Sequence, residues 1–507
     1  MLEMASLLQR HARYRPDRLA VVFEDQRLDA AAFWQRVARV GNALRELGVG
    51  PGDRVATVSG NSLGLLEVYW AVPTLGAVLV PLSPLLQASG LASLLRDCEP
   101  RCVLAQSALV PVLEAVEAAL PEATLLLDGA SGRYRDLGEV SSRQAGSLQP
   151  ARCSDTDLYN LMYTSGTTGM PKGIVHTHYV RAMYCLMLGA ALRITPESRV
   201  LHTGAIVFNG AFVTMMPAFH QGATFVLHRQ FDVAATIDTI EREGITHTML
   251  VPSQIVAIVS SPRFDPARLA SLQCILSLGA PLLQQHKDLL EAALPGRFHE
   301  LYGLTEGFMT ILDRADAVRK SGSVGVPPPF FDLRIEREDG SEAAPGEIGE
   351  IVGTGPLLMP EYYRRPDLTA EAIHDGWLHT GDMGRRDEDG FLFLVDRKKD
   401  MIDSGGVKVY PRDIEEIAAR HPDVRDVAVF GIPDEKWGET PLAAMLLREG
   451  AGVDPAALRD WINERVDARY QRVSQVVVLE DFPRSAAGKT LKRELRAPYW
   501  KATGREV

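Results

Sequence analysis

The sequence has few cysteines, no excess of positive charge and no long uninterrupted apolar run. Its 507 residues include five cysteines, of which only Cys98 and Cys102 lie close together, and no second pair completes a zinc-binding pattern. Scattered cysteines in an odd number are typical of a protein whose thiols stay reduced, which predicts a cytoplasmic location. The formal net charge of −11 argues against a general affinity for nucleic acid or anionic membranes, because both require a basic surface.

The most apolar stretch, residues 63–82, is interrupted by Glu67, Pro73 and Gly76. A membrane span needs about 20 cleaner residues, so this stretch predicts a buried helix followed by a core strand. The N-terminal segment carries charges from Glu3 onward and contains no uninterrupted apolar segment, which argues against a signal peptide. We therefore expect no transmembrane anchor.

Up to about residue 326, helical patterns alternate with short apolar runs. The predicted strands cover residues 54–58, 77–82, 224–228, 248–251 and 274–278, and the predicted helices cover residues 31–47 and 233–243. This alternation indicates βαβ units, so the sequence predicts an α/β fold whose large N-terminal domain has mainly parallel sheets layered with helices.

The predicted secondary-structure pattern changes at Pro327. Short strands are predicted at residues 332–337 and 349–353, between turn residues, which indicates a small β-barrel-like part. A charged run at residues 397–400 precedes a small α+β unit. Its predicted helices cover residues 411–419 and 455–466, and its predicted strands cover residues 424–430 and 473–479. We therefore predict an N-terminal domain at residues 1–396, a hinge at 397–400 and a C-terminal domain at 401–507.

One loop has the composition of a phosphate-binding site. Residues 163–173 read YTSGTTGMPKG, with three glycines, four serine or threonine residues and one lysine. Glycine lets the backbone turn its N–H groups toward an anion, hydroxyls add donors, and Lys172 adds a positive charge. The apolar residues 158–162 fit a strand that leads into this loop. Composition alone would also suit a flexible surface loop.

The loop is not a Walker A motif. That motif requires Gly-Lys followed by Ser or Thr, whereas Lys172 stands between Pro171 and Gly173. A proline also disfavours the α conformation in the residue before it, so a helix is not expected to run through the lysine. These residues therefore disfavour a P-loop kinase or GTPase.

The segment at 163–173 resembles, position for position, the phosphate loop of the adenylate-forming superfamily. This superfamily comprises acyl- and aryl-CoA synthetases, the adenylation domains of nonribosomal peptide synthetases, and beetle luciferases. Further motifs of the family recur in order: YGLTE at 302–306, TGD at 380–382, DRKKD at 396–400 with SGG at 404–406, and PRSAAGK at 483–489. The resemblance covers nearly the whole chain and implies an ATP-dependent enzyme that activates a carboxylic acid as its acyl-AMP.

The resemblance also implies which residues bind ATP and Mg²⁺. The β- and γ-phosphates would be held by Thr164, Ser165, Gly166, Thr167, Thr168, Gly169 and Lys172. Thr305 would contact the α-phosphate, and the carboxylate of Glu306 would bind Mg²⁺, a cation that prefers oxygen ligands. On the nucleoside, Tyr302 would stack against adenine with Gly279 and Ala280 on the other side, Asp382 would bind the ribose hydroxyls, and Arg397 would contact ribose and phosphate.

A second group of residues would act through domain rotation. In the family, the lysine that matches Lys489 reaches the acyl carboxylate and the α-phosphate, and its charge offsets the charge that develops there. With Thr305, Glu306 and Lys172 it forms the expected catalytic set. A rotation of a small mobile C-terminal domain about Lys399 would then replace it with Ser404, Gly405 and Gly406, which would line the thiol channel.

The expected acid pocket contains Phe208, Asn209, Gly303 and Met309. Amino-acid-activating relatives carry a Phe-Asp pair where this chain has Phe208-Asn209, and an amide cannot neutralise an ammonium group, so an α-amino acid is disfavoured. Neighbouring residues are apolar, which favours a medium- or long-chain fatty acid. An aryl acid of the benzoate, cinnamate or hydroxybenzoate kind is the alternative, because Asn209 could form a hydrogen bond with a ring hydroxyl.

The expected acceptor is coenzyme A, because only 18 residues follow Lys489 and no carrier domain is recognisable there. The expected function is therefore an acid–CoA ligase that forms acyl-AMP and pyrophosphate, then acyl-CoA and AMP. Alternatives are a ligase that loads a separate carrier protein, an oxidoreductase of the luciferase kind, and a nucleotide-binding protein without turnover. The expected partners are the acid, ATP and either CoA or a carrier protein. Nucleic acid is not an expected partner, and the sequence is compatible with a homodimer.

Overall fold

The computed structural model describes residues 4–164, 172–397, 400–405, 407–484 and 490–501, without the side chains of Thr164 and Arg397. Within these residues the strands, in chain order, are β1 (Leu19–Phe23), β2 (Gln26–Asp29), β3 (Arg54–Val58), β4 (Val78–Leu82), β5 (Cys102–Ala105), β6 (Thr124–Leu126), β7 (Arg135–Asp136), β8 (Leu158–Thr164), β9 (Lys172–Thr177), β10 (Arg199–His202), β11 (Thr224–Leu227), β12 (His247–Leu250), β13 (Cys274–Leu278), β14 (Phe298–Gly303), β15 (Met309–Leu312), β16 (Asp332–Glu336), β17 (Gly349–Thr354), β18 (Ile373–His374), β19 (Trp377–Arg386), β20 (Leu392–Arg397), β21 (Ile402–Ser404), β22 (Val407–Val409), β23 (Val424–Asp434), β24 (Gly438–Leu447) and β25 (Gln475–Val478).

The α-helices of the same residues are α1 (Leu7–Tyr14), α2 (Ala30–Glu46), α3 (Leu63–Thr74), α4 (Ala88–Cys98), α5 (Val110–Ala115), α6 (Leu137–Ser142), α7 (His178–Met183), α8 (Gly189–Ala191), α9 (Asn209–Gln221), α10 (Val233–Glu243), α11 (Pro252–Val259), α12 (Gln284–Ala293), α13 (Pro366–Ala372), α14 (Pro411–Ala418), α15 (Pro455–Asn463) and α16 (Lys492–Lys501). A π-helical turn, Tyr184–Leu188, joins α7 to α8.

Two large sheets form the N-terminal part of the molecule. One has seven strands in the order β7-β6-β5-β3-β4-β8-β9, and the other has eight in the order β15-β14-β13-β12-β10-β11-β1-β2. Neighbouring strands are parallel except at β9, β15 and β2, which pair antiparallel at sheet edges. The alternation of helix and strand in the sequence therefore predicted the sheet type correctly.

Helix α3 is buried along almost its whole length, between the two sheets. Its N-terminus is capped by Ser62, whose hydroxyl accepts a hydrogen bond from the N–H of Leu65. One core cluster contains side chains of both sheets together with α3 and α9. The two sheets are therefore held in one packed body, so the loops at their edges keep a fixed relation.

Two smaller sheets follow. Strands β16–β20 form a five-stranded antiparallel sheet, which is the half-barrel that the turn-rich sequence predicted. Strands β21–β25 form a sheet in the order β22-β21-β24-β23, with β25 beside β24, and α14, α15 and α16 pack on it. Because this last sheet has apolar clusters of its own, the C-terminal α+β unit is a separate body, and the predicted fold class is confirmed.

The element boundaries show where periodicity is a good guide. Strands 54–58 and 274–278 and helix 233–243 match the predicted bounds, and residues 63–82 form α3 and β4, as expected. Helix α9 was not predicted, and β23 runs four residues beyond its predicted end. No helix of the described residues is long and apolar enough to cross a membrane.

Candidate active site

The carboxyl ends of the central parallel strands of the eight-stranded sheet meet at one edge, where ligands of such sheets bind. Strand β14 ends there with Tyr302 and Gly303, and β13 ends beside it, since Leu278 pairs with Leu301. Gly279 follows β13 with a φ of +95°, a conformation that glycine adopts without strain. Gly279 and Ala280 therefore lie next to the strand that carries Tyr302, as the adenine prediction requires.

The turn from β14 to β15 is tightly fixed. Gly303 pairs with Met309 across it, and a Cβ on Gly303 would lie 2.8 Å from the carbonyl oxygen of Phe308. Gly307 has a φ of +110°, and a Cβ there would lie 1.8 Å from the carbonyl oxygen of Leu357. Thr305 and Glu306 are thus presented, half-buried, on a turn that admits little variation.

Glu306 is held by Tyr362. The Tyr362 hydroxyl donates a 2.8 Å hydrogen bond to Glu306 Oε1, and the Lys172 Nζ lies 4.9 Å from the centroid of the Tyr362 ring. Burial and the neighbouring Glu306 carboxylate raise the pKa of Tyr362, so this tyrosine keeps its proton. The contact places the lysine at the end of the phosphate loop beside the carboxylate predicted to bind Mg²⁺.

Tyr302 and Asp382 are also brought together. Tyr302 donates a 2.8 Å hydrogen bond to Asp382 Oδ2, from the eight-stranded sheet to β19 of the half-barrel. The backbone N–H of Asp382 donates to the Thr380 hydroxyl oxygen at 3.1 Å, and Gly381 between them has a φ of +70°. The residues predicted for adenine and for ribose therefore face one another, although they are 80 positions apart.

A chain of hydrogen bonds leaves Thr305 in the other direction. His176 Nε2 lies 2.8 Å from the carbonyl oxygen of Thr305, and His176 Nδ1 lies 3.0 Å from Nη2 of Arg181. Because a guanidinium only donates, Nδ1 must accept, and Nε2 must carry the hydrogen that Thr305 accepts. Burial and the charge of Arg181 hold the pKa of His176 well below its usual value, which agrees with this neutral tautomer.

Arg181 continues the chain to Asn209. Its Nη2 donates to Asn209 Oδ1 at 2.9 Å, and Asn209 Nδ2 donates to the Tyr184 hydroxyl oxygen at 3.0 Å. Asn209 begins α9 directly after Phe208, so the predicted acid pocket lies at the end of this chain. The predicted ATP residues and the predicted pocket are therefore linked through two buried side chains, His176 and Arg181.

Comparison with known proteins identifies the family of the chain. Residues 8–363 match the family model of the AMP-binding enzyme, and residues 413–489 match that of the AMP-binding enzyme C-terminal domain. The chain belongs to the AMP-binding enzyme family. It is an acid–thiol ligase that uses ATP, Mg²⁺ and coenzyme A.

Relatives of this AMP-binding enzyme span nearly its whole length. It is 37% identical to a feruloyl-CoA synthase of Amycolatopsis sp, over 97% of this chain and 98% of the relative. It is 33% identical to a long-chain-fatty-acid–CoA ligase of Mycobacterium tuberculosis, over 94% of both chains. The crystal structure of ATP-bound MatB from Rhodopseudomonas palustris is similar to it, with a TM-score of 0.91 and 29% identity over 99% of this chain and all of that one.

Glu306 has the surroundings that a Mg²⁺ ligand in this AMP-binding enzyme would need. Within the described ranges, Glu306 forms no ion pair with a lysine, arginine or histidine, and no group of three or more metal-binding side chains is present. Such a single carboxylate suits Mg²⁺, which is usually bound by one or two carboxylates together with substrate phosphates.

The predicted thiol-channel residues lie in the C-terminal unit. Ser404 ends β21 and is buried, and the N–H of Gly405 donates to the carbonyl oxygen of Trp437 at 2.7 Å. A Cβ on Gly405 would lie 2.7 Å from Cε3 of Trp437, so the position has no room for a side chain. Among the described residues, Ser404 and Gly405 form no hydrogen bond with Thr305, Glu306 or Asp382.

Several predicted residues lie outside the described part of the chain. These are Ser165, Gly166, Thr167, Thr168, Gly169, Lys399, Gly406 and Lys489. For Thr164 and Arg397, the structure gives the backbone, at the ends of β8 and β20.

Four residues of the site were missed by the sequence analysis: His176, Arg181, Tyr184 and Tyr362. No motif contains them. The available signal was weak, a lone arginine in a largely apolar stretch after the phosphate loop.

Proposed function

We propose that this enzyme is an aryl-acid–CoA ligase. The observation that carries this proposal is the buried polar group at the expected acid pocket, formed by Arg181, Asn209 and Tyr184. A saturated alkyl chain could form no hydrogen bond there, whereas a substituted ring could. The 37% identical relative named feruloyl-CoA synthase supports this preference.

In the first step, the acid carboxylate attacks the α-phosphorus of ATP and expels pyrophosphate. Two anions approach one another, so the site must supply positive charge and fixed donors. We assign Lys172 and the loop residues 164–169 to the β- and γ-phosphates, Thr305 to the α-phosphate, and Lys489 to the acid carboxylate and α-phosphate. Mg²⁺ held by Glu306 would supply further positive charge at the phosphates.

The nucleoside would lie between β13 and the half-barrel. We assign the adenine to Tyr302, with Gly279 and Ala280 on the opposite face, and the ribose hydroxyls to Asp382 and Arg397. The 2.8 Å contact between Tyr302 and Asp382 supports this assignment, because one ligand could reach both side chains.

In the second step, the CoA thiol attacks the acyl-AMP and AMP leaves. We propose that residues 1–396 and 401–507 act as two domains and that residues 397–400, with Lys399, are the hinge between them. Rotation would withdraw Lys489 and bring Ser404, Gly405 and Gly406 to the acyl-AMP. The separate apolar clusters of the C-terminal unit support this division.

A medium- or long-chain fatty acid is the second candidate substrate. Met215, Met309 and Phe212 are buried around the expected pocket, and they would suit an alkyl chain. The relative named long-chain-fatty-acid–CoA ligase supports this candidate. The two candidate substrates differ in the hydrogen bonds that they can form in the pocket. An alkyl chain would leave the donors of Tyr184 and Arg181 unpaired, at a cost of about 1–3 kcal/mol each.

The test is acid-dependent pyrophosphate release with aryl, fatty and amino acids, with and without CoA. We expect release with aryl acids and thioester only when CoA is present. Faster turnover of fatty acids would favour the second candidate. Acyl-AMP formation without transfer to CoA would contradict CoA ligation and point to a carrier-protein acceptor.

A further inference from the structure

Arg181 is a buried cation without a carboxylate partner in the described parts of the chain. Its side chain has no exposed surface. Nε donates to Asn160 Oδ1 at 2.9 Å, and Nη2 donates to His176 and Asn209. Nη1 has no hydrogen-bond partner in the described structure, and neither has Asn160 Nδ2. Donors therefore outnumber acceptors in this cluster, although buried polar groups are nearly always paired.

The direction of each hydrogen bond can be deduced. Because Arg181 only donates, the amide of Asn209 must turn Oδ1 toward it and Nδ2 toward Tyr184. Nδ2 also only donates, so the Tyr184 oxygen is the acceptor of that bond. The hydroxyl hydrogen of Tyr184 is then left over, and no described residue accepts it.

Two aromatic rings flank the cation. The Arg181 Cζ lies 4.1 Å from the centroid of the Phe212 ring and 4.7 Å from that of Tyr184. The π faces of these rings stabilise the guanidinium in part, so a neutral oxygen is a sufficient partner for the spare donors. Tyr184 also begins the π-helical turn, a rare conformation that occurs frequently at functional sites.

The spare donors lie away from the reacting end of the acid. His176 separates Arg181 from Thr305, which we assign to the α-phosphate and hence to the neighbourhood of the acid carboxylate. Asn209 and Phe208 stand at the far end of the chain. Tyr184 packs edge-on against His176, with ring centroids 6.4 Å apart, and is joined to Arg181 through Asn209. We therefore expect an acceptor that reaches the Tyr184 hydroxyl to lie beyond His176 as seen from Thr305, on the ring of the acid rather than at its carboxyl group.

We propose that Tyr184, oriented by Asn209 and Arg181, donates a hydrogen bond to an oxygen on the ring of the acid and thereby determines specificity. The substrate class is then an aryl acid with a phenolic or ether oxygen remote from its carboxyl group. This inference rests on the proposed aryl-acid ligase function.

The test compares wild type with Tyr184→Phe on one acid skeleton, a cinnamate without a substituent and with a 4-hydroxy, 4-methoxy or 4-carboxy group. We expect kcat/KM of the variant to fall about 10-fold to 100-fold for the 4-hydroxy and 4-methoxy acids, as for the loss of one buried hydrogen bond. The loss for the unsubstituted acid should be much smaller, so that the selectivity ratio collapses. If wild type has a higher kcat/KM for the 4-carboxy acid than for the 4-hydroxy and 4-methoxy acids, the claim that the acceptor is a neutral oxygen is wrong.

Tyr134→Phe is the matched control, because Tyr134 is a buried tyrosine near the opposite edge of the seven-stranded sheet. It should leave the ratio unchanged. Equal losses of kcat/KM for all acids in Tyr184→Phe, or no loss at all, would overturn the proposal. If wild type releases no pyrophosphate with any aryl acid, the proposed function itself has failed, which is a different result.

A second variant tests the same idea without removing the ring. In Asn209→Asp the new carboxylate would pair with Arg181 and accept the Tyr184 hydrogen, so the spare donor disappears. We expect the same collapse of the selectivity ratio with unchanged thermal stability. Retained selectivity in a folded Asn209→Asp enzyme would overturn the role of Tyr184.

Discussion

Among the described residues of the N-terminal part, one lysine and one arginine are buried, and they are partnered in different ways. Lys287 on α12 forms an ion pair with Glu300 on β14, and both side chains are more than nine-tenths buried. Arg181 has only neutral acceptors and retains an unpaired Nη1. A cation whose buried partner is a carboxylate joins two elements of the fold. A cation with spare donors can instead act on a ligand.

Glu306 is the counterpart of Arg181 on the nucleotide side. Its carboxylate accepts from the Tyr362 hydroxyl, a neutral group, and forms no ion pair with another described residue. The site thus contains a carboxylate ready for a cation and a guanidinium ready for an acceptor, whereas the Lys287–Glu300 pair is complete.

The largest effect should come from breaking the complete pair. Lys287→Met leaves Glu300 buried without a counter-charge, which costs about 3–5 kcal/mol of stability. We expect a large fall in the midpoint of denaturant unfolding, with kcat/KM of the folded enzyme close to wild type. The double variant Lys287→Met with Glu300→Leu should regain most of the loss. A small shift in the single variant would show that the pair is not needed for the fold.

The next effect concerns Glu306, the carboxylate that forms no ion pair with a described residue. Glu306→Gln keeps an oxygen for the Tyr362 hydroxyl but removes the charge that we propose binds Mg²⁺, so adenylation should slow by about 10²–10³-fold. Pyrophosphate release measured over a range of Mg²⁺ concentrations checks this. Tyr362→Phe is the control and should cost much less. An unchanged rate in Glu306→Gln would mean that Mg²⁺ is bound elsewhere.

A smaller effect is expected when Arg181, the buried cation with unpaired donors, is replaced by another cation. Arg181→Lys keeps the charge, but one ammonium cannot reach Asn160, His176 and Asn209 as the guanidinium does. We expect kcat/KM for ring-oxygen acids to fall about 10-fold, with the loss of one or two hydrogen bonds. Thermal unfolding is the second measurement. A destabilisation as large as that of Lys287→Met would mean that Arg181 holds the fold and not the substrate.

The last prediction concerns acid and is measured per unit of pH. Burial lowers the pKa values of His178, His202 and His247 to about 4, so below pH 6.5 the unfolded chain binds protons that the folded chain does not. Stability should therefore be complete above pH 6.5 and fall as the pH drops toward 4. His202 stacks on Phe225, and His202→Phe should reduce the slope by up to about 1.4 kcal/mol per pH unit. An identical slope would show that this histidine does not titrate with unfolding.

Much of the fold could be predicted from the sequence, and the residues of the proposed nucleotide site could be named from it, because the information is local. Tyr302, Thr305 and Glu306 belong to one motif on one turn, and Asp382 belongs to another. The apolar runs at residues 54–58 and 274–278 begin and end where strands β3 and β13 do. In each case neighbouring residues in the chain carry the pattern.

The remaining residues depend on how distant elements pack. Tyr362 reaches Glu306 because the segment after β17 lies beside the start of β9, where the N–H of Tyr363 donates to the carbonyl oxygen of Gly173. Arg181 is buried because Asn160 of β8, His176 of β9 and Phe212 of α9 surround it. Strand β19 contains Gly381 and Gly384, although glycine in a sequence is typical of turns. Packing explains Gly384, because a Cβ on it would lie 2.8 Å from Cδ1 of Ile351.

Gly307 has a consequence for anyone who diversifies this enzyme. A library of random substitutions should contain no active member at this position, because any β-carbon would collide with the Leu357 carbonyl and the backbone beyond it. Gly340 and Gly346 also have positive φ, yet a β-carbon there would meet nothing within 4 Å. Asparagine should survive at those two sites, so tolerance to mutation in this chain is set by the neighbouring backbone and not by glycine content.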